Sequence, residues 1–373
     1  VVHSQEKAPV PDWWQSKVDE VHQFINNDVK NGTVELLAVS PGGRKIHMIS
    51  YGAPKPALRG TANYNSALGG RDPDAFYRKG ERKRPVMIIL AGVHGSEPEG
   101  IVNAVSVLNV METGKDLMGR EQYLLREQLK QLRLIVIPLA NPDGRLRYPY
   151  GGIVGLPFDL RRKWAQGTKP DGTPLTATQG KRVHPKRLDE VDILGAYFDD
   201  NGVNIMHDEF FSPMSRTTES LLNLVIKEGP DMLLNLHSHG RHPTIYAMKY
   251  VPMSRKKELE RMAGTYYDRL HDEGYSTGRF PEALVDGTPG SIPPYFNVNS
   301  AFHHASGVLA FTYEFPAGNA ELEGAYKYPD LLNIGIILIR TAAEDLLKGN
   351  TKSSDAVHSN NPYARAINDY LNS

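Results

Sequence analysis

The sequence predicts an α/β fold with a mixed, largely parallel twisted sheet and helices on both faces. Four short, continuously apolar segments have the composition of fully buried strands, and they are residues 85–91, 132–139, 231–236 and 308–315. Helical patterns lie between them, at residues 98–111, 215–227 and 254–275. This alternation is typical of a layered fold in which helices cover a parallel sheet. Ligands in such folds bind beyond the carboxyl ends of the strands.

The remaining segments predict one large domain with two insertions. Residues 12–29 carry an apolar stripe typical of an amphipathic helix, and a hairpin is predicted from residues 34–40 and 45–51, joined by ProGlyGlyArg. Two long stretches without periodicity are interpreted as loop insertions, near residues 52–84 and 148–200. We expect residues 1–350 to form a single catalytic domain and residues 351–373 to form a polar C-terminal tail.

The composition excludes several classes of protein. No apolar run approaches the roughly 20 residues of a membrane span, so a membrane-embedded body is excluded. Lysine plus arginine equal aspartate plus glutamate at 43 each, and this balance provides no overall field that favours nucleic acid or an anionic bilayer.

Cysteine is absent from the chain, which leaves histidine and the carboxylates as metal ligands. The same absence rules out disulfides and cysteine nucleophiles. The sequence begins at Val1 rather than at a methionine, which fits a mature product after signal removal and fits a trimmed chain equally well. The expected location is secreted or periplasmic.

A histidine and a glutamate stand three residues apart where a buried strand meets a helix. The segment Met87 to Gly100 runs from the strand into His94, Glu97 and a helix opened by Pro98. A histidine leaving the strand and a carboxylate at the helix start can converge on one point. Zinc readily binds this set of nitrogen and oxygen ligands. A lone HxxE pair often arises by chance, so a metal site needs a third ligand.

His237 supplies the expected third ligand. It follows directly on the apolar segment LeuLeuAsnLeu at residues 233–236, so it is predicted to lie at the same end of the sheet as His94. Two histidines and one glutamate leave a fourth position open for water, as in catalytic zinc sites. The sequence therefore predicts one zinc ion bound by His94, Glu97 and His237.

Four motifs occur in a fixed order at the predicted strand ends, and they are His94 with Glu97, AsnProAspGly at residues 141–144, His237 with Ser238, and PheThrTyrGlu at residues 311–314. With these motifs the sequence resembles the carboxypeptidase A/B-like zinc peptidases over roughly residues 85–316. It is identified as a divergent member of that family. The resemblance implies a zinc-dependent hydrolase that cleaves peptide bonds.

The resemblance also assigns catalytic roles. Glu314 corresponds to the general base, which accepts a proton from water and passes it to the leaving amine. A lone carboxylate on an apolar strand is costly to bury without a partner, which favours a functional role for Glu314 over a structural one. The oxyanion-stabilising arginine corresponds to Arg162, which precedes Lys163, and Arg161 is its rival.

One motif departs from the family pattern. The family's GlyValAspXaaAsnArgAsn corresponds here to GlyValAsnIleMetHisAsp at residues 202–208. Asn204 replaces the aspartate that supports the first histidine ligand, so its amide oxygen is expected to accept the histidine N–H instead. Met206 and His207 stand where the family has the asparagine and arginine that bind the terminal carboxylate, and this removes the usual planar carboxylate binder.

The substrate-binding residues expected in place of that arginine are drawn from the surrounding motifs. His207, His239 and Arg241 are candidate replacements, with Arg161 as a further substrate-binding candidate. Tyr295 is the nearest match to the family's mobile tyrosine. A structural or surface role for His207 is an equally good interpretation.

Three functions remain open on the sequence. The first is a peptidase or amidase that cleaves an amide near the end of a peptide, such as a cell-wall peptide. The second is a deacylase acting on N-acyl amino acids. The third is a zinc-binding or carbohydrate-binding relative without turnover, against which the presence of Glu314 argues, because a structural zinc site needs no additional base.

Overall fold

A computed structural model of the chain describes residues 9–54, 76–77, 84–181, 184–239, 242–277, 296–316 and 326–349. Within these ranges the strands are β1 Thr33–Val39, β2 Lys45–Tyr51, β3 Val86–Ala91, β4 Arg133–Ile137, β5 Gly167–Thr168, β6 Ile193–Leu194, β7 Met232–Ser238, β8 Thr244–Ala247 and β9 Leu309–Phe315. The α-helices are α1 Val18–Asn27, α2 Pro98–Thr113, α3 Tyr123–Leu129, α4 Pro142–Arg147, α5 Phe158–Gln166, α6 Ala177–Lys181, α7 Arg216–Glu228, α8 Met253–Asp272, α9 Val298–Ser306 and α10 Tyr328–Leu347. Short 3₁₀ turns span Leu188–Glu190 and Ile205–His207.

The main sheet has seven strands in the order β1-β2-β4-β3-β7-β9-β8. Its four central strands β4, β3, β7 and β9 run parallel to one another. The other three strands join antiparallel at the two edges. This arrangement confirms the predicted mixed, largely parallel sheet.

Helices cover both faces of the sheet, as neighbouring residues of β7 show. Successive side chains of a strand point to opposite faces. Leu236 packs where Gly100 of α2 approaches, since a Cβ added at Gly100 would lie 2.8 Å from the Leu236 Cβ. Asn235 donates a hydrogen bond to Asn299 of α9. The helices α2 and α9 therefore lie on opposite faces of the sheet.

The predicted N-terminal helix is shorter in the structure and begins at Val18 rather than near residue 12. The Glu20 carboxylate accepts hydrogen bonds from the backbone N–H groups of Ser16 and Lys17, and this fixes the start of the helix. Trp14 precedes the helix, where its indole N–H donates to the Gly151 carbonyl. The predicted helix thus includes an N-terminal segment that packs as a loop.

Two further regions differ from the sequence interpretation. The stretch 148–200, interpreted as loop, contains α5, α6 and the small β5-β6 pair. The sequence patterns predict no helix at the position of α10, although most of the side chains of α10 are buried against α2, α3 and α8. Among the helices in the described ranges, none combines the length and the hydropathy that crossing a bilayer requires.

Candidate metal centre and active site

The loop after β3 brings His94 and Glu97 together through a tight turn. The Glu97 N–H donates to the His94 carbonyl at 3.2 Å, and Glu97 is the residue from which α2 begins at Pro98. Gly95 has no room for a side chain, because an added Cβ would lie 2.1 Å from the backbone nitrogen of Arg145. The close approach of these two backbone segments therefore requires glycine at position 95.

The AsnProAspGly motif supports this loop from the neighbouring strand end. The Asn141 side-chain amide donates to the Val93 carbonyl at 3.3 Å, and the Asn141 backbone N–H donates to the Gly92 carbonyl at 2.8 Å. The Asn141 Oδ1 accepts from the Gly144 N–H and begins α4. The motif thus holds the residues just before His94.

The three predicted ligands meet in a buried cluster at the carboxyl ends of β3 and β7. His94, Glu97 and His237 are 4%, 3% and 1% exposed. The Nδ1 atoms of His94 and His237 lie 3.0 Å and 2.9 Å from the two Glu97 oxygens and 3.2 Å from each other. Within the described part of the chain this is the one group of three or more such side chains close enough to hold a metal ion.

These spacings fit zinc. In a tetrahedral site with bonds of about 2.0–2.2 Å, neighbouring ligand atoms lie roughly 3.3 Å apart. The distances of 2.9–3.2 Å among the Nδ1 and carboxylate atoms are close to that edge length. Two imidazole nitrogens that face each other at 3.2 Å cannot both carry a proton without repulsion. A shared cation satisfies both nitrogens.

Electrostatics at the cluster favour an ionised Glu97. Burial raises the pKa of Glu97, but electrostatic attraction to the neighbouring His94 and His237 side chains and the hydrogen bonds with them outweigh burial and hold this pKa well below its usual range. The cluster therefore presents a carboxylate rather than a carboxylic acid, as metal binding requires.

Glu314 lies beside this cluster on the next parallel strand. It is half-buried and pairs in register with His237 across β7 and β9. Paired residues on adjacent strands point to the same face of the sheet. The structure therefore brings Glu314 to the side of the sheet on which His237 lies.

The two candidate arginines are placed differently on α5. Arg161 is buried, and its guanidinium donates to the backbone carbonyl of Ser238, next to His237. Burial lowers the pKa of Arg161, but Tyr197, Tyr148 and Glu97 raise it by more than burial lowers it. The pKa is therefore raised overall, and this guanidinium stays charged. Arg162 is half-buried, and its Nε has no hydrogen-bond partner among the described residues.

Two other predicted residues, Asn204 and His207, lie in residues 202–208, the motif that differs from the family pattern. Asn204 is buried, and its side-chain oxygen accepts from the Met206 N–H at 3.0 Å, so it caps the 3₁₀ turn Ile205–His207. Support of His94 by Asn204 therefore stays a prediction. His207 is half-buried, and its carbonyl accepts a 2.6 Å hydrogen bond from His184.

Of the remaining substrate candidates, the structure describes only His239. His239 is exposed, and its backbone N–H donates to the Phe315 carbonyl at 3.0 Å. Tyr295 and Arg241 lie outside the described residues.

Two residues at the site, Tyr197 and Glu99, belong to no motif that the sequence analysis recognised. The Tyr197 ring packs against His94 with 4.2 Å between centroids. Glu99 is fully buried and accepts a hydrogen bond from the Ser238 hydroxyl. Burial raises the pKa of Glu99 to about 7, although Ser238 and Arg161 lower it. The second glutamate of GluProGlu was the available signal for Glu99, while Tyr197 reaches the site only through the fold.

Comparison with known proteins shows the family of the chain. Residues 25–326 match the sequence profile of the zinc carboxypeptidase family. The chain belongs to this zinc carboxypeptidase family, and it is a zinc metallopeptidase. No curated protein matches the sequence.

Solved structures resemble the chain in fold. A metallo-carboxypeptidase from Burkholderia cenocepacia is 13% identical with a TM-score of 0.54, and the match covers 89% of this chain and 69% of that one. Thrombin activatable fibrinolysis inhibitor is 12% identical with a TM-score of 0.55, and the match covers 92% and 81% of the two chains. At these identities the likeness concerns the fold alone.

Proposed function

We propose that this metallopeptidase hydrolyses an amide bond near the end of a peptide, with one zinc ion held by His94, Glu97 and His237 and with Glu314 as the general base. The observation that carries the proposal is the register of β7 and β9, in which Glu314 pairs with His237. A carboxylate placed beside a ligand, and not among the ligands, suits proton transfer rather than metal binding.

The metal and the side chains of the protein have different roles in the proposed reaction. Zinc, when bound, supplies Lewis acidity that lowers the pKa of water and polarises a carbonyl. Glu314 accepts a proton from the attacking water as the new carbon–oxygen bond forms. It then donates that proton to the amide nitrogen as the carbon–nitrogen bond breaks, so the products are a carboxylic acid and an amine.

Arg161 is the better candidate for stabilising the negative charge that develops on the scissile carbonyl oxygen. Its guanidinium is buried and contacts the residue after His237, whereas the Arg162 side chain is only half-buried. A fixed cation with little access to water stabilises developing charge more strongly than an exposed one. We therefore assign to Arg161 the role that the family pattern suggests for Arg162.

Recognition of the substrate's end differs from the family pattern in this proposal. Met206 is buried and faces Asn235, with 3.7 Å between its sulfur and the Asn235 side-chain nitrogen. It therefore offers no cation to a terminal carboxylate. His207 and His239 remain as groups that can bind the polar end of a peptide, and neither provides the planar, paired donors of an arginine.

A chelation experiment tests the proposal. The protein is stripped of metal, titrated with zinc, and assayed at each step on a set of short peptides and on N-acyl amino acids. We expect peptide hydrolysis to appear in proportion to zinc and to saturate at one ion per chain. Full activity in the metal-free protein would contradict the proposal, and cleavage of N-acyl amino acids without cleavage of peptides would replace the peptidase with a deacylase.

A further inference from the structure

Glu99 is a fully buried carboxylate that the proposed chemistry does not use. It lies in the first turn of α2, two residues after Glu97, and it is 0% exposed. Its Oε2 accepts a hydrogen bond from the Ser238 hydroxyl, and its Oε1 has no hydrogen-bond partner among the described residues. Burying a carboxyl group is costly unless hydrogen bonds or nearby charges compensate for the water that it loses.

The peptide group between Ser238 and His239 is held on three sides. Its N–H donates to the Phe315 carbonyl on β9, and its carbonyl accepts from the Arg161 guanidinium on α5. The hydroxyl of the Ser238 side chain donates to Glu99 on α2. Three separate elements thus converge on the residue that follows His237.

Arg161 and Glu99 are linked through this peptide rather than directly. Among the described residues they form no direct ion pair, but each contacts Ser238, one through its carbonyl and the other through its hydroxyl. Burial lowers the pKa of Arg161, and Tyr197, Tyr148, Glu97 and, less strongly, Glu99 raise it. A displacement of Ser238 would therefore move the acceptor that fixes the direction of the Arg161 guanidinium.

We propose that Glu99 is a positioning residue for Arg161, acting through its hydrogen bond with Ser238. This inference rests on the proposed function, since it concerns the arginine that stabilises the developing charge. The hydrogen bond fixes the Ser238 side chain, which holds the Ser238 carbonyl in place, and that carbonyl sets the direction of the guanidinium. Small errors in such placement are costly in rate, because stabilisation of the transition state depends on fixed geometry.

Kinetics provide the first test. Glu99→Ala and Ser238→Ala each remove the hydrogen bond, and we expect roughly a 10- to 100-fold fall in kcat with little change in KM, as for other residues that orient a catalytic group. Glu99→Gln should recover most of the rate, because its amide oxygen still accepts from Ser238. The matched control is Glu112→Ala, which removes a carboxylate from the other end of α2, bonded to the Tyr51 hydroxyl, and should leave kcat unchanged.

A double-mutant cycle distinguishes positioning from general stabilisation. If Glu99 acts through Arg161, Glu99→Ala should have little effect on kcat in an Arg161→Ala background. An equal fall in both backgrounds, or a fall in zinc content that accounts for the lost rate, would overturn the proposal. If Glu99→Ala does not fold, Ser238→Ala removes the same hydrogen bond by deleting one oxygen and replaces it in the cycle.

A spectroscopic measurement tests the inference without relying on activity. The Arg161 side-chain Nη–H signals are identified by their loss in Arg161→Lys, and their exchange with solvent is measured in the zinc-free protein. We expect faster exchange in Glu99→Ala and Ser238→Ala and no change in Glu112→Ala. Unchanged exchange in the first two variants would overturn the positioning role. Failure of the wild-type protein to hydrolyse any substrate would instead overturn the proposed function, and the exchange measurement would still decide the role of Glu99.

Discussion

His237 and Glu314 occupy paired positions on the adjacent parallel strands β7 and β9. Neighbouring strands lie about 4.8 Å apart, and paired side chains project from the same face. The sheet backbone therefore determines the separation between the proposed zinc ligand His237 and the proposed base Glu314. This placement requires no flexible loop, so it should change little when substrate binds.

Removing any one ligand should weaken zinc binding. His94→Ala, Glu97→Ala or His237→Ala removes one of three protein ligands, and we expect zinc affinity to fall by roughly a hundredfold or more, given the binding energy shared among the ligands of a zinc site. Metal analysis of dialysed protein measures this effect. The control is His22→Ala, since His22 lies on α1 and bonds the Lys45 carbonyl. Full zinc content in all three ligand variants would show that the metal assignment is wrong.

The two adjacent arginines should differ sharply in their effect on rate. Arg161→Ala removes a buried cation next to the ligand strand, and we expect kcat to fall by about 10²- to 10³-fold, as on loss of an oxyanion donor. Arg162→Ala serves as the matched control and should change kcat by less than about threefold. Steady-state kinetics at equal zinc content decide between them. A larger loss for Arg162→Ala would return the catalytic role to Arg162.

These arginines illustrate what the sequence predicts and what it does not. The strands, the polar residues at their ends and the metal triad follow from local patterns, because apolar runs and the residues after them are adjacent in the chain. Which of two consecutive arginines turns inward depends on how α5 is rotated, since successive helix positions differ by about 100°. That rotation depends on packing with distant segments, and the sequence interpretation assigned this stretch to a loop.

Tyr197 and Glu99 are two further residues of the site that sequence patterns alone do not identify. Tyr197 lies about a hundred residues from His94 in the sequence, and it reaches this proposed metal ligand only because the insertion folds back against the loop after β3. Glu99 is close to Glu97 in sequence, but its partner Ser238 is on another strand. The spacing of residues along the chain identifies candidate ligands that lie on one turn. Contacts between distant helices and strands can be identified only when the fold is known.

Asp143 of the AsnProAspGly motif should stabilise the protein in a pH-dependent way. Its side chain is fully buried and accepts hydrogen bonds from Ser40, Arg44 and the backbone of Gly42. Burial raises the pKa of Asp143, but these hydrogen bonds outweigh it and lower the pKa below the usual carboxyl value. The folded state therefore binds this proton more weakly than the unfolded state. Stability from this group is present above the unfolded pKa and is lost as pH falls through the folded pKa.

Asp143→Asn should lower the free energy of unfolding near neutral pH by about 2–4 kcal/mol, because it leaves Arg44 without its buried partner. The difference from wild type should begin to shrink below about pH 4, where this carboxyl gains a proton in the unfolded chain, and it should be lost below the lowered pKa of the folded state. Urea unfolding of the zinc-free proteins between neutral and acid pH measures it. Asp268→Asn, on the exposed face of α8, is the control and should change stability little. A difference that stays constant down to pH 2 would contradict the electrostatic explanation.

The substrate's terminal carboxylate should contribute little to recognition. The sequence has Met206 and His207 at the positions of the family's carboxylate-binding pair, so we expect peptides that differ only in a free or amidated C-terminus to have kcat/KM values within about tenfold of each other. A site built to bind a charged group rejects the analogue that lacks it by about 10⁴-fold or more. A preference of that size for the free acid would show that another cation replaces the missing arginine.

The measurement that tests the central claim most directly is the activity of Glu314→Gln at known zinc content. Glutamine keeps the size of the side chain but cannot accept the proton of water, and Glu314 lies beside the proposed ligands rather than among them. The matched control is Glu35→Gln, on the exposed edge strand β1. We predict that Glu314→Gln retains one zinc ion per chain and loses kcat by about 10²- to 10⁴-fold, the range for removal of a general base. Hydrolysis at the wild-type rate with full zinc content would contradict the account.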